Sequence, residues 1–379
     1  MEKKEGKSLK IFKTVAFALF GLALGAGLGF GMIALLGHCF EEFSFIAMLI
    51  SVAVIIPLVY FMEIILHESG HLIAGLMTGY RFSSFRVLSL LLVKSEGRYS
   101  FKRFSIPGTL GQCLLIPPEK KEDGSYPYVF YNLGGILMNL SLASIGGLLV
   151  LANGLKGYFG VFSSALMLVG ILEALENGIP LGALGVTNDA ANLKACGNPR
   201  VRESLWKMLT INALQTEGRL LSDMPGDLFV VPTDEEMSDM WVSAEAVFVE
   251  NLLMEQMKRE EAAELIRHLL HTEGIKLIPV YEDLLRMDYM VLRILAGEEV
   301  TVSKKMKNDF KTYASFPSCL RSTYAYELII NENWKAAEKI KRKLEKVLSK
   351  YPFPTDKLVE PKYVELIDGR QKELSGTQA

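Results

Sequence analysis

The chain divides into a strongly apolar N-terminal half and a charged, amphipathic C-terminal half. Up to about residue 195 long apolar runs dominate, whereas from about residue 197 onward apolar positions recur at helical spacing among charged ones. Four runs approach or exceed the roughly 20 apolar residues that a membrane-crossing helix needs. They cover residues 14–40, 43–62, 125–155 and 157–172. We therefore predict a mainly α protein whose residues 14–195 form a polytopic membrane bundle of about four spans.

The remaining parts of the chain are assigned around that bundle. Residues 1–13 form a short N-terminal segment, and residues 196–379 are expected to fold as an all-α domain. Two amphipathic stretches of this domain, 257–266 and 334–340, resemble the helical hairpins of repeat proteins, although no strict period emerges. His268 and His271 lie here without a carboxylate or cysteine cluster, so we interpret them as ordinary helix residues.

Basic residues set the expected orientation. Five lysines precede the first run, which is too long for a signal-peptide core and lacks a small-residue cleavage site, so we predict an uncleaved anchor with a cytoplasmic N-terminus. The loop at Glu41 and Glu42 carries no positive charge, whereas residues 81–121 are rich in Lys and Arg. Four crossings then leave both termini, and the C-terminal helical domain, in the cytoplasm.

Residues 81–117 follow a different pattern from the runs on either side. Residues 99–104 alternate partially, residues 82–93 are aromatic and aliphatic, and a turn at 95–97 separates the two. A second turn at Pro107-Gly108 leads to a short strand that ends at Pro117. The pattern predicts a small membrane-associated β-hairpin or sheet. Its role is either structural only or the addition of a substrate segment as an extra strand.

Composition narrows the classes of function. The net charge of -2 gives no basic excess for nucleic-acid binding, so we expect no nucleic-acid partner. The four cysteines are scattered without a CxxC or paired spacing, which argues against a disulfide framework or a cysteine zinc site.

The second apolar run continues beyond residue 62 to Tyr80, and within this continuation residues 67–71 read HESGH, where ionisable side chains are costly and usually functional. The HExxH spacing puts two imidazoles on one helix face, with His67 and His71 as zinc ligands and Glu68 as the general base for an attacking water. Glu63, one turn before His67, is either a hydrogen-bond acceptor that orients the imidazole or a polar side chain that faces the bundle interior.

A catalytic zinc site normally has a third protein ligand. Near the end of the fourth run the candidates are Glu173, Glu176 and Asn177, followed by residues 178–189, an apolar stretch broken by Pro180 and by glycines. Irregular backbone of this kind at membrane depth is tolerated only where it is buried in protein or lines a cavity.

An HExxH on a membrane helix, followed after two more membrane segments by Asn177-x-x-Pro180 and then Asp189, resembles the site-2 protease type of intramembrane zinc metalloprotease. Residues 134–139, a Gly-rich segment that ends in Asn139, resemble the motif of that family's middle core helix. The resemblance covers about residues 45–195. It implies Zn2+ as cofactor, Asp189 as the third ligand, a membrane-embedded sheet near the site, and Asn139, Asn177 and Pro180 as residues that position the substrate.

One departure from the family pattern concerns the third ligand. The family usually has Asp followed by Gly, whereas this chain reads Asn188-Asp189-Ala190. A carboxylate is still present, but the local backbone is not one that requires glycine. Asp189 is therefore the expected ligand, with Glu173 and Glu176 in reserve.

The resemblance also implies a substrate class and a location. The expected substrates are membrane proteins or peptide precursors cleaved in or near a transmembrane segment, such as an anti-sigma factor or a signal-peptide remnant, and the expected location is the bacterial cell membrane. The partners are then the lipid bilayer, the substrate and a cytoplasmic partner of the helical domain. Two rival functions are an inactive membrane scaffold of the same fold and a transporter that handles metal ions or protons.

Overall fold

The computed structural model describes residues 44–95, 97–106, 109–180, 182–183 and 186–377, together with 31, 34 and 37–39. The predicted N-terminal segment, nearly all of the first predicted span and the Pro107-Gly108 turn lie outside the described residues. Within them the chain is mostly helical and contains a small antiparallel sheet, as the mainly α prediction requires.

Three described helices are long and apolar enough to cross a membrane, judged by length and composition. They are α1 (Phe45–Met77), α2 (Tyr128–Asn153) and α3 (Gly157–Gly178). The 33 residues of α1 run through Pro57 as one helix, and at about 1.5 Å per residue they extend about 50 Å, well beyond a hydrocarbon core of about 30 Å. α2 and α3 correspond to the third and fourth predicted spans.

Contacts divide the chain into two units, which are described separately. The first unit comprises the described residues up to Gly70 together with Gly134–Ile179. Its core includes Val59 of α1 packed with Ala165 and Val169 of α3. A β-carbon at Gly70 would collide with the backbone carbonyl of Gly134, so glycine at position 70 lets α1 and α2 approach closely.

The N-terminal part of α1 presents large apolar side chains outward. Phe45, Ile46, Ile50, Val54 and Leu58 are each more than half exposed. Contiguous apolar surface of this kind is rare on a soluble monomer and is typical of a surface that meets lipid or another protein.

The second unit comprises His71–Leu133 and Pro180–Ala379, and it contains the sheet. The strands β1 (Arg81–Val87), β2 (Leu90–Ser95), β3 (Arg98–Arg103) and β4 (Gly111–Ile116) are arranged in the order β3-β2-β1-β4, with all neighbours antiparallel. The stretch 82–93, expected as one strand of a hairpin, is two strands. Leu88 adopts a left-handed backbone conformation (φ 53°) and turns the chain between them.

The sheet is tied by polar contacts to the helices that follow α4 (Asp189–Ala195). The Trp206 indole of α5 (Pro199–Thr216) donates to the Pro118 carbonyl at 2.9 Å, and the Ser95 hydroxyl donates to the Glu217 carbonyl at 2.8 Å. The strands therefore belong to the same unit as the C-terminal helices.

The helical region continues with buried apolar clusters that connect successive helices. The helices are α6 (Met240–Glu255), α7 (Arg259–His271), α8 (Pro279–Leu295), α9 (Lys304–Thr312), α10 (Pro317–Ala325), α11 (Trp334–Leu348) and α12 (Pro354–Thr377), with one π-helical turn at Tyr326–Ile330. The two predicted amphipathic stretches fall mainly in α7 and α11. His268 pairs with Asp234 at 2.7 Å in an exposed position.

Candidate metal centre

The HESGH segment lies in the C-terminal half of α1, where the side chains of His67, Glu68 and His71 are all buried. Because His67 and His71 are four residues apart in one continuous helix, both imidazoles lie on the same helix face. Burial of three ionisable side chains in so apolar a helix requires specific partners for each of them.

The imidazole of His71 is held by a backbone carbonyl. Its Nδ1 lies 2.7 Å from the carbonyl oxygen of Tyr131, which can only accept, so Nδ1 carries the hydrogen and donates it. In the neutral ring this leaves Nε2 with a lone pair, and Nε2 lies 3.1 Å from Oδ2 of Asp189. Two acceptor atoms that face each other at this distance need a proton or a cation between them.

The imidazole of His67 is held by a side-chain amide. Its Nδ1 lies 3.1 Å from Oδ1 of Asn139, which is fully buried on α2, and the Nδ2 of Asn139 donates to Oε2 of Glu173 at 2.8 Å. Nδ1 of His67 therefore carries the hydrogen, and Nε2 keeps its lone pair. As neutral rings, both histidines therefore have the tautomer that a metal ligand needs.

The ligand atoms of His67, His71 and Asp189 all lie within 4.8 Å of one another, and no other group in the described parts of the chain has this arrangement. Two ligand atoms about 2.1 Å from a tetrahedral zinc lie about 3.4 Å apart, close to the separation of 3.1 Å between His71 and Asp189. Two imidazole nitrogens and one carboxylate oxygen form the donor set typical of a hydrolytic zinc site. The residues present therefore fit zinc.

A helix N-terminus positions Asp189. The backbone pairs briefly as a hairpin of β5 (Gly182–Ala183) and β6 (Val186–Thr187), and α4 then begins with Asp189 as its first residue. The side chain of Asn188 caps this helix by accepting from the Ala191 amide at 3.0 Å. Residue 190 is thus helical, a conformation that alanine favours, and no glycine is needed after the ligand.

The other sequence-predicted residues lie in several different environments. The acceptor for His67 Nδ1 is Asn139 and not Glu63, because the close approach of α2 puts an amide oxygen beside the ring; Glu63 is a fully buried side chain one turn earlier. Glu173 contacts Asn139 and is not part of the three-residue ligand cluster. Glu176 is exposed on α3.

The Asn-x-x-Pro pair lies at the end of α3. Asn177 is half-buried and donates to the Glu173 carbonyl at 3.1 Å, and Pro180 is exposed immediately after the helix. Sequence reasoning missed two supporting groups, the carbonyl of Tyr131 and the carboxylate of Glu173 as partner of Asn139. A backbone carbonyl leaves no mark in a sequence, whereas Glu173 was visible as an acidic residue in an apolar run.

Comparison of the chain with protein-family models, with curated proteins and with solved structures found no match.

Proposed function

We propose that this protein is an intramembrane zinc metalloprotease that hydrolyses peptide bonds in or near the transmembrane segments of other proteins. The observation that carries the proposal is the pairing of His71 Nε2 with Asp189 Oδ2, two lone-pair atoms at 3.1 Å with His67 beside them. The resemblance of the HExxH, Asn-x-x-Pro and Asp pattern to site-2 proteases supports the same conclusion.

Each residue has a distinct task in the proposed reaction. Zinc, when bound, supplies a Lewis acid that polarises the scissile carbonyl and acidifies water. His67 and His71 would hold it through their imidazole nitrogens and Asp189 through a carboxylate oxygen. Glu68, buried next to His67, accepts the proton of the attacking water and delivers it to the leaving amine.

The proposed environment of this reaction is the bacterial cell membrane, with a multi-pass topology that keeps both termini in the cytoplasm. The three apolar helices and the outward apolar side chains of α1 support a membrane location. The proposed substrates are anti-sigma factors, signal-peptide remnants or peptide precursors. The C-terminal helices are then available to a cytoplasmic partner.

An edge strand of the sheet offers a place where such a substrate could be bound in extended form. A transmembrane helix satisfies all its amides internally, so it must be opened before its peptide bond can be cleaved. Strand β3 is an edge strand, and its Tyr99 and Phe101 side chains are 62% and 69% exposed. We propose that β3 pairs with the unwound substrate and supplies replacement hydrogen bonds. We also propose that Asn177 and Pro180 position the unwound substrate.

The test uses the full-length protein purified in detergent and reconstituted in sealed lipid vesicles. Zinc content is measured by elemental analysis, and cleavage is measured on a panel of transmembrane segments. The variants are Glu68→Gln and Asp189→Ala, and the matched control is Glu176→Gln, which alters an exposed carboxylate of α3.

The expected result separates the two roles. Glu68→Gln keeps zinc and loses cleavage, Asp189→Ala loses both, and Glu176→Gln retains both. A parent protein that holds no zinc would refute the proposal. Zinc in the parent without cleavage of any segment would favour the inactive scaffold instead, and zinc-dependent ion flux across the vesicle membrane would favour the transporter.

A further inference from the structure

Three side chains from three helices form a continuous buried hydrogen-bond chain behind one of the two histidines. Glu173 of α3 accepts from the Nδ2 of Asn139 on α2 at 2.8 Å, and the Oδ1 of Asn139 lies 3.1 Å from Nδ1 of His67 on α1. Asn139 is fully buried and Glu173 is nearly so. All three residues belong to the first contact unit.

We propose that Glu173 is a positioning residue that fixes the amide orientation of Asn139 and thereby the metal-binding tautomer of His67. The inference rests on the proposed zinc site, and it goes beyond that site by assigning a role to a residue that does not contact the metal. It also assigns Asn139 to ligand orientation instead of substrate binding.

The two histidines differ in the group that holds their Nδ1 atoms. The Nδ1 of His71 bonds to the Tyr131 backbone carbonyl, which can only accept and cannot rotate. The Nδ1 of His67 bonds to an amide side chain, which has an acceptor at one end and a donor at the other. The tautomer of His67 therefore depends on which end of Asn139 faces it.

If the amide of Asn139 were reversed, its Nδ2 would face His67 and would donate to Nδ1. The imidazole hydrogen would then move to Nε2, and the ring would lose the lone pair that binds a metal. The Oε2 of Glu173 accepts from the Nδ2 of Asn139 at 2.8 Å, so Glu173 holds the NH2 end of the amide. That leaves the oxygen end for His67, in the orientation that a ligand needs.

Packing restricts the alternatives to this arrangement. A β-carbon at Gly170 on α3 would approach the backbone carbonyl of Asn139 to 2.9 Å, so α2 and α3 are in close contact beside Asn139. Side chains at such a contact have few rotamers, and a buried polar group needs its partners in place. Glu173 therefore keeps the oxygen of the Asn139 amide facing His67. The rotatable amide then acts only as an acceptor, as a backbone carbonyl does.

The test measures metal binding rather than turnover. The full-length protein in detergent is stripped with a chelator, its zinc Kd is determined by competition with a chromophoric chelator, and the visible spectrum of its Co2+ form reports the ligand geometry. Two variants remove the acceptor, Glu173→Ala and Glu173→Met, and the methionine keeps most of the side-chain volume. Both are expected to weaken zinc binding by about 10-fold to 100-fold and to alter the Co2+ bands.

Two further variants separate orientation from charge. Glu173→Gln retains an acceptor oxygen for Asn139 Nδ2, so it is expected to bind zinc within a few-fold of the parent protein. Asn139→Ala is expected to bind as weakly as Glu173→Ala, and the double variant no more weakly than Asn139→Ala, because the two residues act in series. The control is Glu176→Ala, which removes an exposed carboxylate three residues further along α3. Its zinc Kd and Co2+ spectrum should match those of the parent.

The outcomes distinguish this inference from the proposed function. A parent protein that binds no zinc refutes both. The positioning role alone is refuted if the parent binds zinc and both Glu173→Ala and Glu173→Met have the affinity and the spectrum of the parent. Glu173→Gln as weak as Glu173→Ala would also refute it, since charge and not the hydrogen bond would then be the cause. Gel filtration of the metal-free proteins identifies any variant that is misfolded.

Discussion

A buried group of carboxyls in the C-terminal helices makes the stability of that region dependent on pH. Arg321 of α10 is 1% exposed and forms ion pairs with Asp288 and with Glu360, the latter at 3.3 Å. Glu250 is equally buried, and its Oε1 has no hydrogen-bond partner among the described residues. One arginine thus faces more carboxyls than it can neutralise, which favours protonation of some of them at neutral pH.

Two of these carboxyls are expected to hold protons in the folded protein. Burial, only partly offset by Arg321, raises the pKa of Glu360 to about 8. Burial and the neighbouring Asp288 raise the pKa of Glu250 well above its usual value. In the unfolded chain both groups titrate near 4.3. At pH values between the unfolded and the folded pKa, these two groups therefore bind about two more protons in the folded state than in the unfolded state.

The sign follows from proton linkage. Since the folded state binds the extra protons, the free energy of unfolding falls as the pH rises through this window. Each bound proton contributes about 1.4 kcal/mol per pH unit, so these two carboxyls contribute roughly 3 kcal/mol per pH unit between about pH 5.5 and 7.5. Asp356 adds to this in the same direction, since burial raises its pKa to about 7. Glu236 has the opposite effect, because hydrogen bonds from Arg200 lower its pKa to about 2. The stability that Glu236 contributes is lost only as the pH falls below this window.

The assay is equilibrium unfolding of the full chain in detergent by guanidinium chloride, followed by tryptophan fluorescence. All three tryptophans, Trp206, Trp241 and Trp334, lie in the C-terminal helices, so the signal reports on this region. Glu360→Gln is expected to reduce the slope by about one proton, whereas Glu365→Gln, an exposed glutamate on the same helix, should leave it unchanged. Stability that is flat or increases from pH 5.5 to 7.5 would refute the reasoning.

Three further outcomes are expected. Arg321→Met leaves Asp288 and Glu360 without their cation and should destabilise the C-terminal helices by about 3 to 5 kcal/mol at pH 7.5, and by less at pH 5.5, in the same unfolding assay. Phe101→Pro removes an amide donor from edge strand β3 and should slow cleavage of membrane segments with unchanged zinc content; unchanged turnover would remove support for strand pairing. Gly70→Leu should destabilise the α1 and α2 contact by about 1 to 3 kcal/mol or more, measured as a lower thermal midpoint, and a parent-like midpoint would contradict the close approach.

Much of the candidate site could be predicted from the sequence because its chemistry is local. The spacing of His67 and His71 fixes their common helix face, and the structure places Asp189 with them although more than a hundred residues separate Asp189 from α1. The order of motifs, and not any spacing, pointed to Asp189. The choice among Asp189, Glu173 and Glu176 could not be made from the residues alone, since it depends on how the chain returns after α3.

The differences between sequence and structure arise where tertiary packing decides between local options. Glu63 at i-4 was a reasonable acceptor for His67, but the close approach of α2 at Gly70 brings Asn139 to the imidazole instead. Leu88 in a left-handed conformation splits the expected long strand in two, and leucine gives no local signal for that conformation. Nearly all of the first predicted span lies outside the described residues, so the count of four spans stays a prediction.

The three proposed ligands depend on supports of different rigidity, and this predicts where the site is most sensitive. His71 is oriented by a backbone carbonyl, which a single side-chain substitution alters little, and Asp189 begins a helix that one side chain, that of Asn188, caps. His67 depends on the amide of Asn139, which is itself set by Glu173. Substitutions distant from the metal should therefore weaken the site chiefly through His67, since this is the one ligand whose orientation passes through two rotatable side chains.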